Sequence, residues 1–192
     1  MRTGAPSRIV VPTTVESPDY EWVLPVDDGD LEAMGFGTME RLAPSWTPIE
    51  VYILHRDGRT RMVHAEMPWH GSGTLIMRRA AAEVIRPLVE GQAELLPLRC
   101  DEDQLWALHV TEVRDALDED ASDIVRFPSS GRILTVRTHV FRPEQLDGAR
   151  CFKLPQMPRG RLYLAGDLAD TIEAAGLSGF ATEVVWTAPQ VG

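Results

Sequence analysis

Apolar positions in this chain come in short alternating runs punctuated by Gly, Pro and Asp, and in two windows the period lengthens to that of a helix. The first strand-like block, EVYILHRDGRTRMVHAE at 50–66, places two β-rich runs around Asp57-Gly58. That dipeptide tolerates the positive φ of a tight turn, so the block predicts a hairpin over 49–55 and 60–65. ELLPL (94–98) and QLWALHV (104–110) follow as strands on either side of the turn Asp101-Glu102-Asp103. GRILTVRTHVF (131–141) alternates Ile133, Thr135 and Arg137 against Leu134 and Val136, with Gly131 as the turn before it. CFKLP (151–155), RLYLAG (161–166) and FATEVVW (180–186) are shorter strand candidates.

The helical windows are TLIMRRAAAEVIRPLVEG (74–91) and GDLADTIEAAGLSG (166–179). In the first, Met77, Ala81, Val84 and Leu88 recur at helical spacing. Pro87 removes a backbone donor, so the helix kinks or ends there, and Gly91 closes the last turn. In the second, Asp167 or Gly166 is the expected cap and Asp170 stands in the first turn, where the dipole favours a carboxylate. Leu168, Ile172 and Ala175 form the buried stripe and Gly176 the stop. Residues 1–48 carry prolines at 6, 12, 18, 25, 44 and 48 among glycines at 4, 29, 35 and 37, with a short strand at Glu21–Leu24. This reads as an N-terminal arm or loop-rich layer over 1–48 ahead of a domain at 49–188. The fold class expected is α+β: a mainly antiparallel sheet of short strands with two or more helices packed on it.

Length and composition add that no metal or disulfide is needed. A chain of 192 residues, 44% hydrophobic and 25% charged, buries roughly 70% of the surface its unfolded form exposes. The only apolar run near the start, Ile9-Val10-Val11, is too short for a signal peptide, and no run approaches the roughly 18 residues of a membrane span. A soluble cytoplasmic protein is expected, with Cys100 and Cys151 reduced and buried.

Charge changes the picture more. The net value is −10, and the imbalance sits in residues 1–48, which carry −5, and residues 100–125, which carry −8. Phosphate attraction supplies the sequence-independent part of nucleic-acid and anionic-membrane binding, so neither is expected as a partner. The segment VTEVRDALDEDASDIVRF (110–127) holds six carboxylates: Glu112, Asp115, Asp118, Glu119, Asp120 and Asp123. Water, a cation or a basic partner must offset their repulsion.

Each chemical template lacks a part. An EF-hand loop begun at Asp118 has Asp123 where glycine is required and Ser129 where a bidentate Glu is required. Asp115, Asp118, Glu119 and Asp120 lie in a polar stretch with nothing to desolvate one of them for acid catalysis. His64, His70, Cys100, His109 and Cys151 form no zinc-type pair of close spacing. WHGSGT lacks the Lys-Ser/Thr ending of a P-loop, and its Ser72 is flanked directly by glycines, unlike a nucleophile elbow. No cofactor is expected. A small hydrolase using Ser72 or a Cys–His pair, or a ligand-binding module using Trp46, Trp69, Trp106 and Trp186, remains as the alternative.

In order along the chain, TLIMRRAAAEVIRPL, EGQAELLPL, QLWALHVTEVRDALDEDAS, GRILTVRTHVF, FKLP, LYLAGDLADTIEAAGLSG and a closing VVW resemble a family of bacterial immunity proteins from polymorphic toxin systems. The resemblance covers about Trp46 to Trp186. Its most specific pieces are Glu94-Leu95-Leu96-Pro97 and Asp115-Ala116-Leu117-Asp118 with Ser122. It implies a non-enzymatic protein that binds and neutralises a cognate toxin encoded beside it. Combined with the charge, it suggests a toxin with a basic cleft, such as a nuclease, faced by Asp101, Glu102, Asp103, Asp118, Glu119 and Asp120, joined by Asp27, Asp28 and Asp30. The shared Asp-Ala-Leu-Asp string has a second reading, in which Asp115 or Asp118 bonds backbone in a turn.

Overall fold

The computed structural model describes residues 4–15, 19–34 and 37–189; Pro18 and Gly35 of the loop-rich segment lie outside these. Along the chain the elements begin with strand β1 (Arg8–Thr13), strand β2 (Trp22–Pro25), the short helix α1 (Asp30–Met34) and strand β3 (Val51–Leu54). The two-residue strands β4 (Arg56–Asp57), β5 (Thr60–Arg61) and β6 (Ile76–Met77) lead into helix α2 (Arg79–Ile85). Strands β7 (Ala93–Leu98), β8 (Leu105–Val110), β9 (Asp123–Arg126), β10 (Ile133–Thr138), β11 (Cys151–Phe152) and β12 (Tyr163–Ala165) precede helix α3 (Gly166–Ala174) and the closing strand β13 (Ala181–Thr187).

The class is α+β and the ladders are antiparallel, but the strands form several small sheets instead of one. Among the described residues these are β11-β12-β1-β13, β6-β8-β7, β2-β3, β9-β10 and β4-β5. Turn formers keep the individual strands to runs of two to seven residues. Pro97 is accommodated because β7 is an edge strand, where a missing N–H costs no ladder bond.

Residues 8–13 do not behave as an arm. β1 lies between β12 and β13, with Ile9 paired to Ala165 and Val11 to Glu183. Ile9, Val10 and Val11 are all buried: Ile9 and Val11 enter one core cluster and Val10 another, so both faces of the strand are covered. A continuous apolar run is the pattern such a doubly covered strand requires.

The hairpin expected over 49–55 and 60–65 is also redistributed. β3 pairs with β2, Val23 opposite Ile53 and Pro25 opposite Val51, because that pairing buries Val23, Val51 and Ile53 against Ile76, Leu96 and Leu105. Only β4 and β5 remain as a hairpin, turned at Gly58 (φ 57°), and its Arg56 and Arg61 stay in water.

The first helix begins later than its periodicity suggests. Ile76 and Met77 pair with Ala107 and Trp106 as strand, and Arg78 is extended, its N–H donated to Glu66 O at 2.9 Å. Ala81, Ala82 and Ile85 make the buried face, in place of Val84 and Leu88. The helix passes into a 3-10 turn at Arg86–Leu88 where Pro87 stands, and Gly91 follows at φ 83°, as expected.

In α3 the N-cap is Ala165, Asp167 lies in the first turn, and Gly176 (φ 69°) ends the helix. Leu168, Ala169 and Ile172 are its buried stripe; Ala175 is exposed, and Asp170 faces out to pair with Arg8. β10 does not alternate cleanly either. Two register shifts against β9 bring Ile133 and Val136 to the same buried side.

Candidate functional site

The turn 101–103 joins β7 to β8 beside a buried polar knot. Glu21, only 5% exposed, precedes β2 and is reached by Arg78 Nη2 at 2.9 Å, His55 Nδ1 at 2.9 Å and the Ala65 N–H at 3.4 Å. Arg78 is buried too. Its Nη1 donates to Ala65 O and its Nε to Asp103 Oδ2 at 2.5 Å. His55 Nε2 lies 2.7 Å from Glu102 Oε2, and this bond, with Glu21 on the other side, raises the His55 pKa despite desolvation. Glu102 and Asp103 therefore face basic side chains of their own chain, which Glu21 shares. Asp101 is exposed.

The acidic segment is likewise resolved largely within the chain. Asp118 Oδ1 accepts the N–H groups of Asp120 (3.2 Å) and Ala121 (3.1 Å), and Ser122 Oγ accepts from Val140 N at 3.0 Å, which is the turn-forming role open to the Asp-Ala-Leu-Asp string. Glu112 pairs with Arg114 and Glu119 with Arg126. Asp115 accepts Gln156 Nε2 at 2.7 Å and lies 3.4 Å from Arg142. Asp120 and Asp123 point to solvent. The 118–120 turn stands over the cluster containing Leu117 and Phe141, and the 101–103 turn over the cluster containing Leu98 and Leu105, so different cores support the two groups.

The third acidic group adjoins an apolar surface. Asp27 Oδ1 accepts the Gly29 N–H at 2.8 Å, Asp28 is exposed, and Asp30 opens α1. Immediately before them, the β2–β3 ribbon sends Val23, Pro25, Val51 and Ile53 inward. The alternate positions face outward: Trp22 is 38% exposed and Tyr52 43%, with Val26 (58%) and Leu31 (50%) at the acidic end. Trp22 is also bridged to Trp69 on the other side of β2. Tyr20, Trp22 and Trp69, with Thr14, Val15, Asp19 and Gly179, line a shallow depression of about 280 Å³. Sequence reading proposed Trp46, Trp69, Trp106 and Trp186 for a groove; only Trp69 lines this one. Trp186 is buried among aromatics, Trp106 packs on the core, and Trp46 Nε1 donates to Pro97 O at 2.7 Å. The outward parity of Trp22 and Tyr52 was the signal available.

A second cleft, of about 230 Å³, holds Ser72, His139, Arg159, Arg161 and Tyr163. His139 Nε2 is bonded to Tyr163 Oη at 3.1 Å, and no hydrogen bond joins it to Ser72 among the described residues, so the nucleophile–base contact a hydrolase needs is not made. Burial, with the Arg161 charge, lowers the His139 pKa to about 4, and burial raises that of Tyr163 to about 12. Cys151 is also buried and pushed up to about 12, which removes it as a thiolate at neutral pH. His70 and His109 donate to the carbonyls of Val23 and Glu40. Among the described residues no group of three or more His, Cys, Asp or Glu side chains is placed to hold a metal ion, and no helix is long and apolar enough to cross a membrane.

His139 has a measurable consequence. Folding holds it neutral, while the unfolded chain protonates it near 6.5, so its contribution is complete above pH 6.5 and is lost as pH falls towards 4. The loss reaches about 3 kcal/mol at pH 4. Urea unfolding at pH 7, 5 and 4 is expected to show a shallower decline for His139→Gln than for the native chain; equal slopes contradict it.

No protein-family model matches the chain, and no curated protein matches it.

Proposed function

We propose that this protein is an immunity-type inhibitor: it binds a cognate antibacterial toxin through a basic surface of the toxin and blocks it, acting in the cytoplasm and catalysing no reaction of its own. The ordered strings shared with immunity proteins support the class. The observation that carries the binding reading is the outer face of the β2–β3 ribbon, where exposed Trp22 and Tyr52 share a face whose Val26 end runs into Asp27 and Asp28. Aromatic anchors supply most of the energy of protein interfaces, and the charges around them set on-rate and partner choice. An exposed ion pair adds only about 0.2–1 kcal/mol, so carboxylates alone would not hold a toxin.

This reading concentrates the contact at Asp27, Asp28 and Asp30 with their apolar neighbours. Asp101 and Asp120 add long-range attraction; Glu102, Asp103, Asp118 and Glu119 serve mainly to hold their own turns. A nucleic acid or anionic membrane suits this surface poorly.

Trp22→Ala and Tyr52→Ala are each expected to weaken binding of the toxic domain encoded by the neighbouring gene by about 30-fold, corresponding to about 2 kcal/mol. Asp27→Lys with Asp28→Lys is expected to slow association about tenfold at low salt, with less effect at high salt. Stopped-flow association and calorimetric titration measure both. Affinity untouched by either aromatic change removes this face from the interface.

A further inference from the structure

We infer that the depression between Tyr20, Trp22 and Trp69 receives a single cationic side chain, an arginine or lysine, projecting from the partner protein. This rests on the inhibitor reading for the identity of the partner, though the site itself is argued from geometry.

Register brings the three rings to one face. Trp22 and Trp69 form a parallel bridge, held by Val23 N–H to Trp69 O at 2.8 Å and Trp69 N–H to Glu21 O at 2.9 Å, so their side chains leave the sheet on the same side. Tyr20, two residues before Trp22, shares that side, and its own bridge to Val63 extends the ladder. The wall is closed by Gly179, which only glycine can occupy: its φ is 86°, and an added Cβ would stand 2.4 Å from Met67 O. Aromatic side chains backed by this fixed backbone give a preformed concavity, not a collapsed core, since Trp22 is exposed and Tyr20 and Trp69 are half-exposed.

The chemistry of the lining selects the charge. Each ring offers a negative face that attracts a cation, most strongly for tryptophan. Asp19, exposed at the edge, adds a full negative charge, and among the described residues no basic one lines the depression. A bound anion would meet Asp19 and the ring faces unfavourably. A purely apolar side chain would cover the rings but desolvate the carboxylate without compensation. A guanidinium or ammonium group on an aliphatic stem satisfies both, with the stem against the rings and the head at Asp19. The depression also borders the Trp22 end of the face assigned to the toxin, so one basic residue at the edge of that contact reaches it.

The test uses the full chain labelled with nitrogen-15 and follows the indole N–H signals of Trp22 and Trp69, assigned by single Trp→Phe substitutions. N-acetyl-arginine methylamide is expected to shift both saturably in the millimolar range. The citrulline analogue, equal in shape but neutral, is expected to bind at least about fivefold more weakly, and Asp19→Asn, a change at an exposed position, is expected to weaken the arginine amide about threefold or more. Equal shifts with both amides, or no shift with either, overturn the inference. The two readings fail separately. Binding of the arginine amide without any binding of the toxic domain keeps the pocket and ends the inhibitor reading. Full-strength binding of the toxic domain to Asp19→Asn, with a silent arginine amide, ends the pocket alone.

Discussion

Arg78→Met is expected to lower the free energy of unfolding by about 3–5 kcal/mol. Arg78 is buried and its guanidinium serves three acceptors: Glu21, Ala65 O and Asp103. Methionine fills much of the same volume, so the loss reports charge and hydrogen bonding, not a cavity. What remains is a buried Glu21 carboxylate beside the exposed His55 and His64 and one backbone N–H. Removing the stranded charge should therefore repair part of the damage: Glu21→Gln in the Arg78→Met background is expected to be more stable than Arg78→Met alone. Urea unfolding followed by tryptophan fluorescence measures the cycle. A loss below about 1 kcal/mol, or no recovery in the double variant, would show that water reaches Glu21.

Phe141→Ala is expected to cost about 3–5 kcal/mol as well, for a different reason. The Phe141 ring lies edge-on to Phe152, Tyr163 and Trp186, with centroids at 6.0, 5.6 and 5.8 Å, and stacks on His139 at 5.6 Å. Truncation opens a void at the centre of one of the three core clusters. The acidic segment depends on it, because Leu117 bridges Phe141 and the Asp118 N–H donates to Val140 O at 2.8 Å. Amide exchange at Asp118 should thus accelerate with the global loss. Phe141→Leu, which keeps most of the apolar volume, should cost clearly less; equal costs for the two variants would mean the ring contacts are not what holds the cluster.

These two side chains also mark what was legible in the sequence. β7, β8 and α3 were readable because each carries its own pattern and its own boundaries: Asp101-Glu102-Asp103 between the strands, Gly176 after the helix. The role of Asp118 in a turn was readable for the same reason, since the bonds run only two or three residues along the chain. Non-local pairings were hidden. Ile9-Val10-Val11 was visible as an apolar run, but nothing near it revealed that β12 and β13, more than 150 residues away, would flank it. The Asp57-Gly58 turn was found, yet the strand before it took its partner from residues 22–25, a choice made by burial of Val23 and Ile53 and not by the turn. Arg78 looked like one more polar residue on a helix; the Glu21 that buries it stands 57 residues upstream.

The same limit applies to the acidic clusters. Composition located the negative charge, but an ion pair needs a second coordinate that composition does not carry. Arg78, His55 and Arg126 stand against Asp103, Glu102 and Glu119, with Glu21 sharing the first two, so formal charge overstated how much of each cluster faces outward. Asp27 and Asp28 have no such partner among the described residues, apolar side chains stand alongside, and it is this coincidence that directs the functional proposal.

Its central claim is that the molecule acts by occupying another protein's surface. The most direct measurement titrates the purified protein into the toxic domain encoded beside it while following that domain's activity. The account predicts complete inhibition at one equivalent, with a one-to-one complex recovered by size-exclusion chromatography. Undiminished toxin activity at a tenfold excess, with the two proteins eluting separately, would contradict it.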